Sequence, residues 1–191
     1  PATFCFPQTQ QGAMTFDGAG RLYIVVGDTV RRFSPPFSAD SQPDLVLGDP
    51  AGPGSTATTL RSPRGLAVDP SGALLVADDQ NGRILRFEPP FSSGMPASQV
   101  LGQPDFTTVN GTPSRSRLNR ALSVAVGAAG AVYALDTSRL LAFDAPFAPA
   151  GSGADFDNDG IPNGLEASEG RDPWAKDNDV FANPRLFAMQ Q

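Results

Sequence analysis

Short runs rich in apolar residues recur along residues 1–148, separated by turns rich in glycine and proline. In the middle of this region four such runs follow one another closely, at residues 64–68, 73–77, 83–87 and 97–101. In the third run Ile84 and Arg86 alternate with Leu85 and Phe87, which is the two-residue period of a β-strand. Asp69-Pro70-Ser71-Gly72 predicts a tight turn between the first two strands, and Asn81-Gly82 predicts a hairpin turn between the second and third. The segment therefore reads as one four-stranded antiparallel unit.

The same unit occurs three times. The segment around Phe33 and Phe37, at residues 31–38, recurs at 85–92 and again at 141–148. An upstream block recurs at residues 14–23, 66–75 and 124–133, and a Val-Leu-Gly motif followed by Asp-Pro or Gln-Pro occurs at 46–50 and 100–104. Four antiparallel strands repeated at intervals of about 50 residues are typical of the blades of a β-propeller.

The fold class predicted from these repeats is all-β, with three four-stranded antiparallel propeller blades in residues 1–148. The blades are expected at about 12–50, 64–104 and 121–148, and the third lacks a run that could form its outer strand. A blade with two apolar faces must stack on neighbours to bury them. The phenylalanine of each Pro-Phe pair is expected to fill the gap between blades.

The motifs of the second unit resemble those of bacterial NHL-repeat proteins. The resemblance is closest over residues 60–106, which begin Leu-Arg-Ser-Pro-Arg-Gly-Leu-Ala-Val-Asp, and it is weaker over 12–50 and 118–148. In the third unit Gly127 stands where the turn should begin with aspartate. The resemblance implies blades of a six-bladed propeller, of which this chain holds half, and it says little about a ligand.

Three blades do not close a ring, since closed propellers use about four to eight. One further strand, residues 2–6, precedes the first blade and could supply the missing outer strand of a third blade in another copy of the chain. Reciprocal exchange would give a homodimer, and a non-closing version would give a filament. Alternatively, the chain is a piece of a longer protein whose other blades are not in it. Both interpretations stay open.

Charge and composition exclude several functions. Residues 1–150 hold 11 basic and 12 acidic side chains, whereas residues 151–191 hold 3 and 8, so that −1 and −5 make up the net charge of −6. An acidic chain without a basic stripe is not expected to bind nucleic acid. No apolar run is long enough for membrane insertion. Cys5 is the only cysteine, and it is expected to be a small apolar residue of the first strand rather than a reactive thiol.

The acidic segment contains the pattern of a calcium-binding loop. The ligands predicted for one Ca²⁺ ion, at the spacing such a loop requires, are Asp155, Asp157, Asp159, the backbone carbonyl of Ile161, Asn163 and Glu166. Gly160 permits the sharp turn, and four carboxylates so close together would repel one another without a cation. The alternative is a solvated acidic linker. Flanking helices of EF-hand length are not predicted, so the loop resembles the single loops of thrombospondin type 3 or dockerin modules in extracellular proteins.

The rest of this region is divided by composition. Residues 149–154 are predicted as a linker, 155–182 as the calcium-loop segment and 183–191 as the start of a truncated helical segment. Asp177 and Asp179 could begin a second loop. Because such loops bind calcium weakly and suit millimolar extracellular calcium, the expected location is secreted or at a bacterial cell surface.

Catalysis is not expected. The chain has no histidine, which removes the commonest general base and metal ligand. Aspartates follow the second strand of each unit, at Asp28, Asp78, Asp79 and Asp136, and they are expected to accept hydrogen bonds from turns and backbone.

Two function classes remain. The first is a non-enzymatic assembly module that self-associates through propeller edges, with calcium rigidifying the C-terminal segment. The second is an extracellular propeller domain that binds a protein or glycan.

Overall fold

The computed structural model describes residues 11–109, 113–114, 116–127 and 130–147. Within these residues the chain is all-β, with three antiparallel sheets and one 3-10 turn. A search of the same residues finds no helix with the length and apolar character needed to cross a membrane. The fold class predicted from the repeats is confirmed.

The first and second sheets have four strands each, in chain order. The first consists of β1 (Gln11–Phe16), β2 (Leu22–Val26), β3 (Thr29–Phe33) and β4 (Leu45–Leu47). The second consists of β5 (Pro63–Val68), β6 (Leu74–Asp78), β7 (Arg83–Phe87) and β8 (Gln99–Leu101). The four strands predicted for the second unit are thus found within two residues of their expected positions.

The third sheet has three strands among the described residues, β9 (Ser123–Val126), β10 (Val132–Leu135) and β11 (Leu140–Phe143), with β10 in the middle. The prediction that the third unit lacks a counterpart of β4 and β8 is not tested, because the chain after residue 147 lies outside the described residues. In the first sheet the outer strand β4 is covered by the next unit, since the Val46 N–H donates to Ser93 Oγ (3.0 Å) and the Gly94 N–H donates to the Val46 carbonyl (2.9 Å).

Both turns predicted in the second unit are found. The turn at residues 69–72 is confirmed, because the Gly72 N–H donates to the Asp69 carbonyl at 2.9 Å. The hairpin predicted at Asn81-Gly82 is confirmed by the antiparallel pairing of β6 with β7, and its connection consists of residues 79–82. Residues Asp79–Asn81 form a 3-10 turn, and Gly82 ends it with a φ of 61°. The longer connection forms because the Asn81 side chain is buried and hydrogen-bonded, as described below, instead of lying exposed at the tip of a hairpin.

The Val-Leu-Gly motif requires a glycine because of the backbone conformation at that position. Gly48 and Gly102, at the ends of β4 and β8, have φ values of 87° and 89°. A Cβ atom on Gly102 would lie 2.5 Å from Leu118 Cδ1, and one on Gly48 would lie 2.6 Å from the Asp28 carbonyl oxygen. Only glycine combines this φ with so close an approach. The motif therefore turns the chain from one sheet to the next.

The sheets stack face to face, with the innermost strands β1, β5 and β9 adjacent. We call the face of a sheet that packs on the preceding sheet its N-side face, and the opposite face its C-side face. One core joins the C-side face of the first sheet to the N-side face of the second, through residues that include Tyr23, Val25, Leu74, Val76 and Phe87. A second core joins the second and third sheets, with Leu75, Ala77, Ile84, Val132 and Phe143 among its members. Both faces of the second sheet are therefore covered.

The phenylalanines of the Pro-Phe pairs lie at these junctions, as predicted, in the second and third units. Phe91 contacts Tyr23 of the first sheet edge to face at 6.1 Å, and the Arg32 guanidinium lies 5.9 Å from its ring centroid. Phe147 lies 5.4 Å from the guanidinium of Arg86 on the second sheet. A guanidinium over an aromatic face is attractive. Each junction is thus closed by an arginine of one unit and a phenylalanine of the next.

Candidate functional site

The aspartates that follow the second strands lie at one end of the three sheets, together with the connections between sheets. Antiparallel pairing aligns Asp78 with Arg83 at the end of β6 and β7, and it aligns Val26 with Thr29 at the same place in the first sheet. Asp136 and Arg139 occupy this place in the third sheet, where the Asp136 N–H donates to the Arg139 carbonyl. The candidate site is built around these positions.

Asp78 and Arg83 form an ion pair whose two side chains are fully buried. Arg83 Nε donates to Asp78 Oδ2 at 2.8 Å, and the same carboxylate accepts from the Asn81 amide at 2.8 Å and from the Arg61 backbone N–H at 2.6 Å. Burial raises the pKa of Asp78, and the Arg83 guanidinium is the largest opposing effect. Charges removed from water need this many partners to be tolerated.

Arg83 and Asn81 also hold the long connections in place. Arg83 Nη2 donates to the carbonyls of Thr56 (3.0 Å) and Thr59 (2.9 Å), and Nη1 donates to the Phe106 carbonyl. The Asn81 amide donates to the Gly54 carbonyl at 2.7 Å. Backbone carbonyls of two loops that lack regular structure are therefore paired with buried side-chain donors of the second sheet.

Asp136 has the corresponding role in the third unit. It accepts hydrogen bonds from the backbone N–H groups of Asn119 (3.2 Å), Arg120 (2.9 Å) and Thr137 (2.7 Å), and from Arg139 Nη2 at 2.8 Å. Burial works to raise the pKa of Asp136, but the backbone donors and Arg139 outweigh it and lower the pKa to about 2. Arg139 in turn donates to the carbonyls of Ser114 and Arg117, at 2.6 Å each.

The other two aspartates join neighbouring units. Asp28 accepts from the Ser62 backbone N–H at 2.7 Å, which ties the first unit to the second. Asp79 is fully buried and binds Arg120 through both carboxylate oxygens, with Nε at 2.7 Å and Nη2 at 2.5 Å. Arg64 Nε lies 2.8 Å from the same carboxylate. The prediction that these aspartates accept hydrogen bonds from turns and backbone is confirmed for Asp28, Asp78 and Asp136, whereas Asp79 binds guanidinium groups.

An open cleft of about 340 Å³ lies beside the Asp79–Arg120 pair. It is lined by Arg61 and Gln80 of the second unit and by Asn119 and Arg120 of the third. Sequence reasoning missed this cleft. Its signal in the sequence was the aspartate pair at 78–79 with Arg61 before it and Arg120 after it, but residues so far apart in the chain are brought together only by the packing of two sheets.

A second candidate surface is the C-side face of the third sheet. In β10 and β11 buried and exposed residues alternate, and the exposed ones include Tyr133 (40%), Leu135 (44%) and Leu140 (67%). The register places Leu135 opposite Leu140, so the three side chains share one face. The corresponding residues of the first and second sheets are all at most 2% exposed. They are Tyr23 and Leu75 for Tyr133, Val25 and Ala77 for Leu135, and Val30 and Ile84 for Leu140.

The N-side face of the first sheet shows a related difference. Met14 (65% exposed) and Phe16 (55%) lie on β1, whereas Leu66 and Val124, which correspond to Met14, are 8% and 6% exposed. Leu22, Ile24, Val26 and Phe33 form a separate buried cluster on this side, and Phe37 packs against it. Phe16 and Phe37 meet edge to face at 6.5 Å. Both outer ends of the stack thus carry exposed apolar side chains at positions that are buried or, for Phe16, partly buried at the inner junctions.

The predicted calcium ligands, Asp155, Asp157, Asp159, Ile161, Asn163 and Glu166, lie outside the described residues. So do the strand at 2–6, Cys5, the linker at 149–154, Asp177, Asp179 and the segment 183–191. Within the described ranges no group of three or more histidine, cysteine, aspartate or glutamate side chains is placed to hold a metal ion. The calcium site stays a prediction.

Comparison with known proteins identifies part of the repeat. Residues 60–87 match the model of the NHL repeat. No curated protein matches the chain. Two solved structures are similar to it, each at 11% sequence identity. A Bacteroides caccae protein of unknown function aligns with a TM-score of 0.48, over 71% of this chain and 46% of its own. Streptogramin B lyase aligns with a TM-score of 0.45, over 78% of this chain and 44% of its own. The chain therefore spans less than half the length of either.

The matched segment, 60–87, contains β5, β6 and β7 and both partners of the buried Asp78–Arg83 pair. An NHL repeat in a blade-like sheet indicates a module for protein interaction or ligand binding. The absence of catalysis stays a prediction.

Removing the Asp78 carboxylate should destabilise the whole domain. Asp78→Ala leaves the Arg83 guanidinium buried and unpaired, so we expect the free energy of unfolding to fall by about 3–5 kcal/mol. Urea denaturation followed by circular dichroism measures this change. Asp144→Ala removes an exposed aspartate of the third unit and is the control, with an expected change below about 0.5 kcal/mol. Equal effects of the two substitutions would contradict the role of the buried pair.

Asp136 should make stability depend on pH in a defined window. Its folded-state pKa is about 2, below the usual value near 3.9, so its contribution is present above about pH 4 and is lost as the pH falls towards 2. We expect Asp136→Asn to cost about 1–2 kcal/mol at pH 7, which allows for partial screening by solvent.

The test is urea denaturation of the wild type and the variant at several pH values between 2 and 7. The difference in unfolding free energy should shrink between pH 4 and pH 2. Asp40→Asn, at an exposed aspartate, should show no such window. A difference that does not change with pH would exclude an ionised Asp136 as its source.

Proposed function

We propose that the chain is a non-enzymatic assembly module, in which the C-side face of the third sheet of one copy stacks on the N-side face of the first sheet of a second copy. One observation carries this proposal. Tyr133, Leu135 and Leu140 are 40–67% exposed, although the corresponding residues of both other sheets are at most 2% exposed. A contiguous apolar surface of this kind marks an interaction site.

The choice of a second copy as partner rests on the inner junctions. Each of them joins the C-side face of one unit to the N-side face of the next. Each covers the positions whose counterparts are exposed at the two ends of the stack. The N-side face of the first sheet offers Met14 and Phe16, which are exposed, as the partner surface. End-to-end contact between copies would extend the packing rule that already operates twice within the chain.

This contact joins two different surfaces, so it is heterologous. If the rotation between copies closes after two chains, six blades form a ring and the product is a dimer. If it does not close, the product is a filament. Pairing of residues 2–6 of one copy with the outer edge of β11 in another would add a fourth strand to the third sheet.

Self-association should depend on the C-side face of the third sheet. We expect Leu140→Glu to weaken it at least tenfold, because a carboxylate would replace a leucine that becomes buried in the contact. Sedimentation velocity over a range of protein concentrations measures the effect. Ser138→Glu, at an exposed position near the end of the same hairpin, should leave association unchanged. A wild-type chain that sediments as a monomer at tens of micromolar would overturn the proposal.

Mixing two variants distinguishes the proposed contact from pairing of like surfaces. Phe16→Glu damages the N-side face of the first sheet, and Leu140→Glu damages the C-side face of the third. Each variant alone should be monomeric, whereas an equimolar mixture should form a heterodimer through the one intact pair of faces. A mixture that stays monomeric would exclude heterologous stacking.

The calcium part of the proposal rests on sequence spacing. A Ca²⁺ ion held by Asp155, Asp157, Asp159, Asn163, Glu166 and the Ile161 carbonyl would rigidify the segment that follows the blades. Weak binding of this kind, with a Kd of about 10⁻⁴ to 10⁻³ M, suits extracellular calcium and supports location outside the cell.

Calcium affinity should depend on the last carboxylate of the loop. Glu166→Gln removes the bidentate ligand, so we expect isothermal titration calorimetry to show at least tenfold weaker binding than in the wild type. Glu169→Gln, which lies outside the loop pattern, should bind like the wild type. The site would be disproved if the wild type bound no calcium at millimolar concentrations.

A second candidate function, ligand binding, is favoured by the cleft beside Asp79.

A further inference from the structure

The geometry points to a binding site for a small hydroxylated oxyanion, such as a sugar acid or a sugar phosphate, in the cleft lined by Arg61, Gln80, Asn119 and Arg120. Two of the four lining residues carry a guanidinium and two carry a carboxamide. Its volume of about 340 Å³ lies at the lower end of the range for small-molecule sites, about 300–1,000 Å³.

The charge at the cleft is positive. The three arginines beside it, Arg61, Arg64 and Arg120, are accompanied by one buried carboxylate, that of Asp79. Two further carboxylates nearby are neutralised by their own arginines, Asp78 by Arg83 and Asp136 by Arg139. Asp28, which accepts from the Ser62 N–H next to Arg61, is counted with Asp79, so the local excess is one positive charge, in a region of the chain whose net charge is −1.

The lining residues are fixed through their backbones. The Arg61 N–H donates to Asp78 and the Arg120 N–H to Asp136, while the Gln80 N–H donates to the Arg61 carbonyl at 3.1 Å. The side chains of Arg61, Gln80 and Asn119 make no hydrogen bond or ion pair with any described residue. Anchored backbones that carry unengaged donors are what a preorganised polar site requires.

The donor set selects the ligand. Guanidinium groups bind carboxylate and phosphate oxygens with charge-assisted hydrogen bonds. The carboxamides of Gln80 and Asn119 can both donate and accept, which suits hydroxyl groups next to the anion. The corresponding junction between the first and second units has Ser62 in place of Arg120, bound to Asp28. Among the described residues, the site is thus specific to the junction of the second and third units.

Arg61 gives the clearest test, because its side chain is exposed and has no partner among the described residues whose loss would affect folding. Isothermal titration calorimetry with glucuronate, glucose 6-phosphate and neutral glucose probes the two anion classes and the uncharged sugar. We expect at least one of the two anions to bind, glucose to bind at least tenfold more weakly, and Arg61→Gln to weaken anion binding about 10- to 100-fold. Arg117→Gln, at an exposed arginine outside the cleft, is the matched control.

Binding of glucuronate alone would define a carboxylate site, and binding of glucose 6-phosphate alone a phosphate site. The site would be disproved if neither anion, at millimolar concentration, gave heats above those of a protein-free titration. It would also be disproved if Arg61→Gln and Arg117→Gln behaved alike. Because all four lining residues belong to one chain, binding should persist in the Leu140→Glu variant. Failure of self-association and failure of ligand binding are therefore separate results.

Discussion

A sheet that is apolar on both faces is stable only when each face is covered, and this constraint governs the whole chain. The second sheet satisfies it completely, since every residue of β6 and β7 is buried. The first and third sheets share one face each with the second, and their outer faces differ. Strands β10 and β11 alternate between buried and exposed residues because only one of their faces has a neighbour among the described residues. On the outer face of the first sheet every residue of β2 is buried, and the exposed apolar side chains described there, Met14 and Phe16, lie on β1. The assembly proposed for this chain is the extension of that constraint to its two ends.

Polar interactions in the same stack position the backbone of the connections between the sheets. The buried Asp78–Arg83 pair is weak evidence for stability by itself, because desolvation opposes the attraction between the charges. Its effect is to position the chain: the two residues bind the backbone of Arg61, Thr56 and Thr59. Asp136 fixes Asn119 and Arg120 in the same way. The cleft thus follows from the packing scheme, since the carboxylates that hold the connections also align the arginines that line it.

Much of the fold could be predicted from the sequence because the repeats supply three versions of each strand. The alternation of Ile84 with Leu85 and the glycines at 48 and 102 correspond to local requirements, namely a two-sided strand and a positive φ. The hairpin at Asn81-Gly82 was predicted, but the 3-10 turn in its connection was not, because a tertiary contact, the bond from Asn81 to Gly54, overrides the local preference for a tight turn. The cleft could not be predicted for a similar reason: Asp79 and Arg120 are 41 residues apart and meet only after two sheets have packed. The calcium loop is the opposite case, since its ligands lie within 12 residues and spacing alone predicts it.

The details of the inner junctions also indicate how strong the proposed contact between copies would be. At each inner junction an arginine of the C-side face, Arg32 or Arg86, lies over the phenylalanine of the next unit. The corresponding position in the third sheet, opposite Tyr133, is Ala142. A second copy docking there would therefore gain the apolar contacts of an inner junction without its cation–π contact, which is worth about 0.5–2 kcal/mol. On the partner face, Arg31 stands where the second and third sheets have Leu85 and Leu141, and its Nε is buried without a partner among the described residues. Contact between copies should consequently be weaker than contact within a chain, so that association is reversible and depends on concentration.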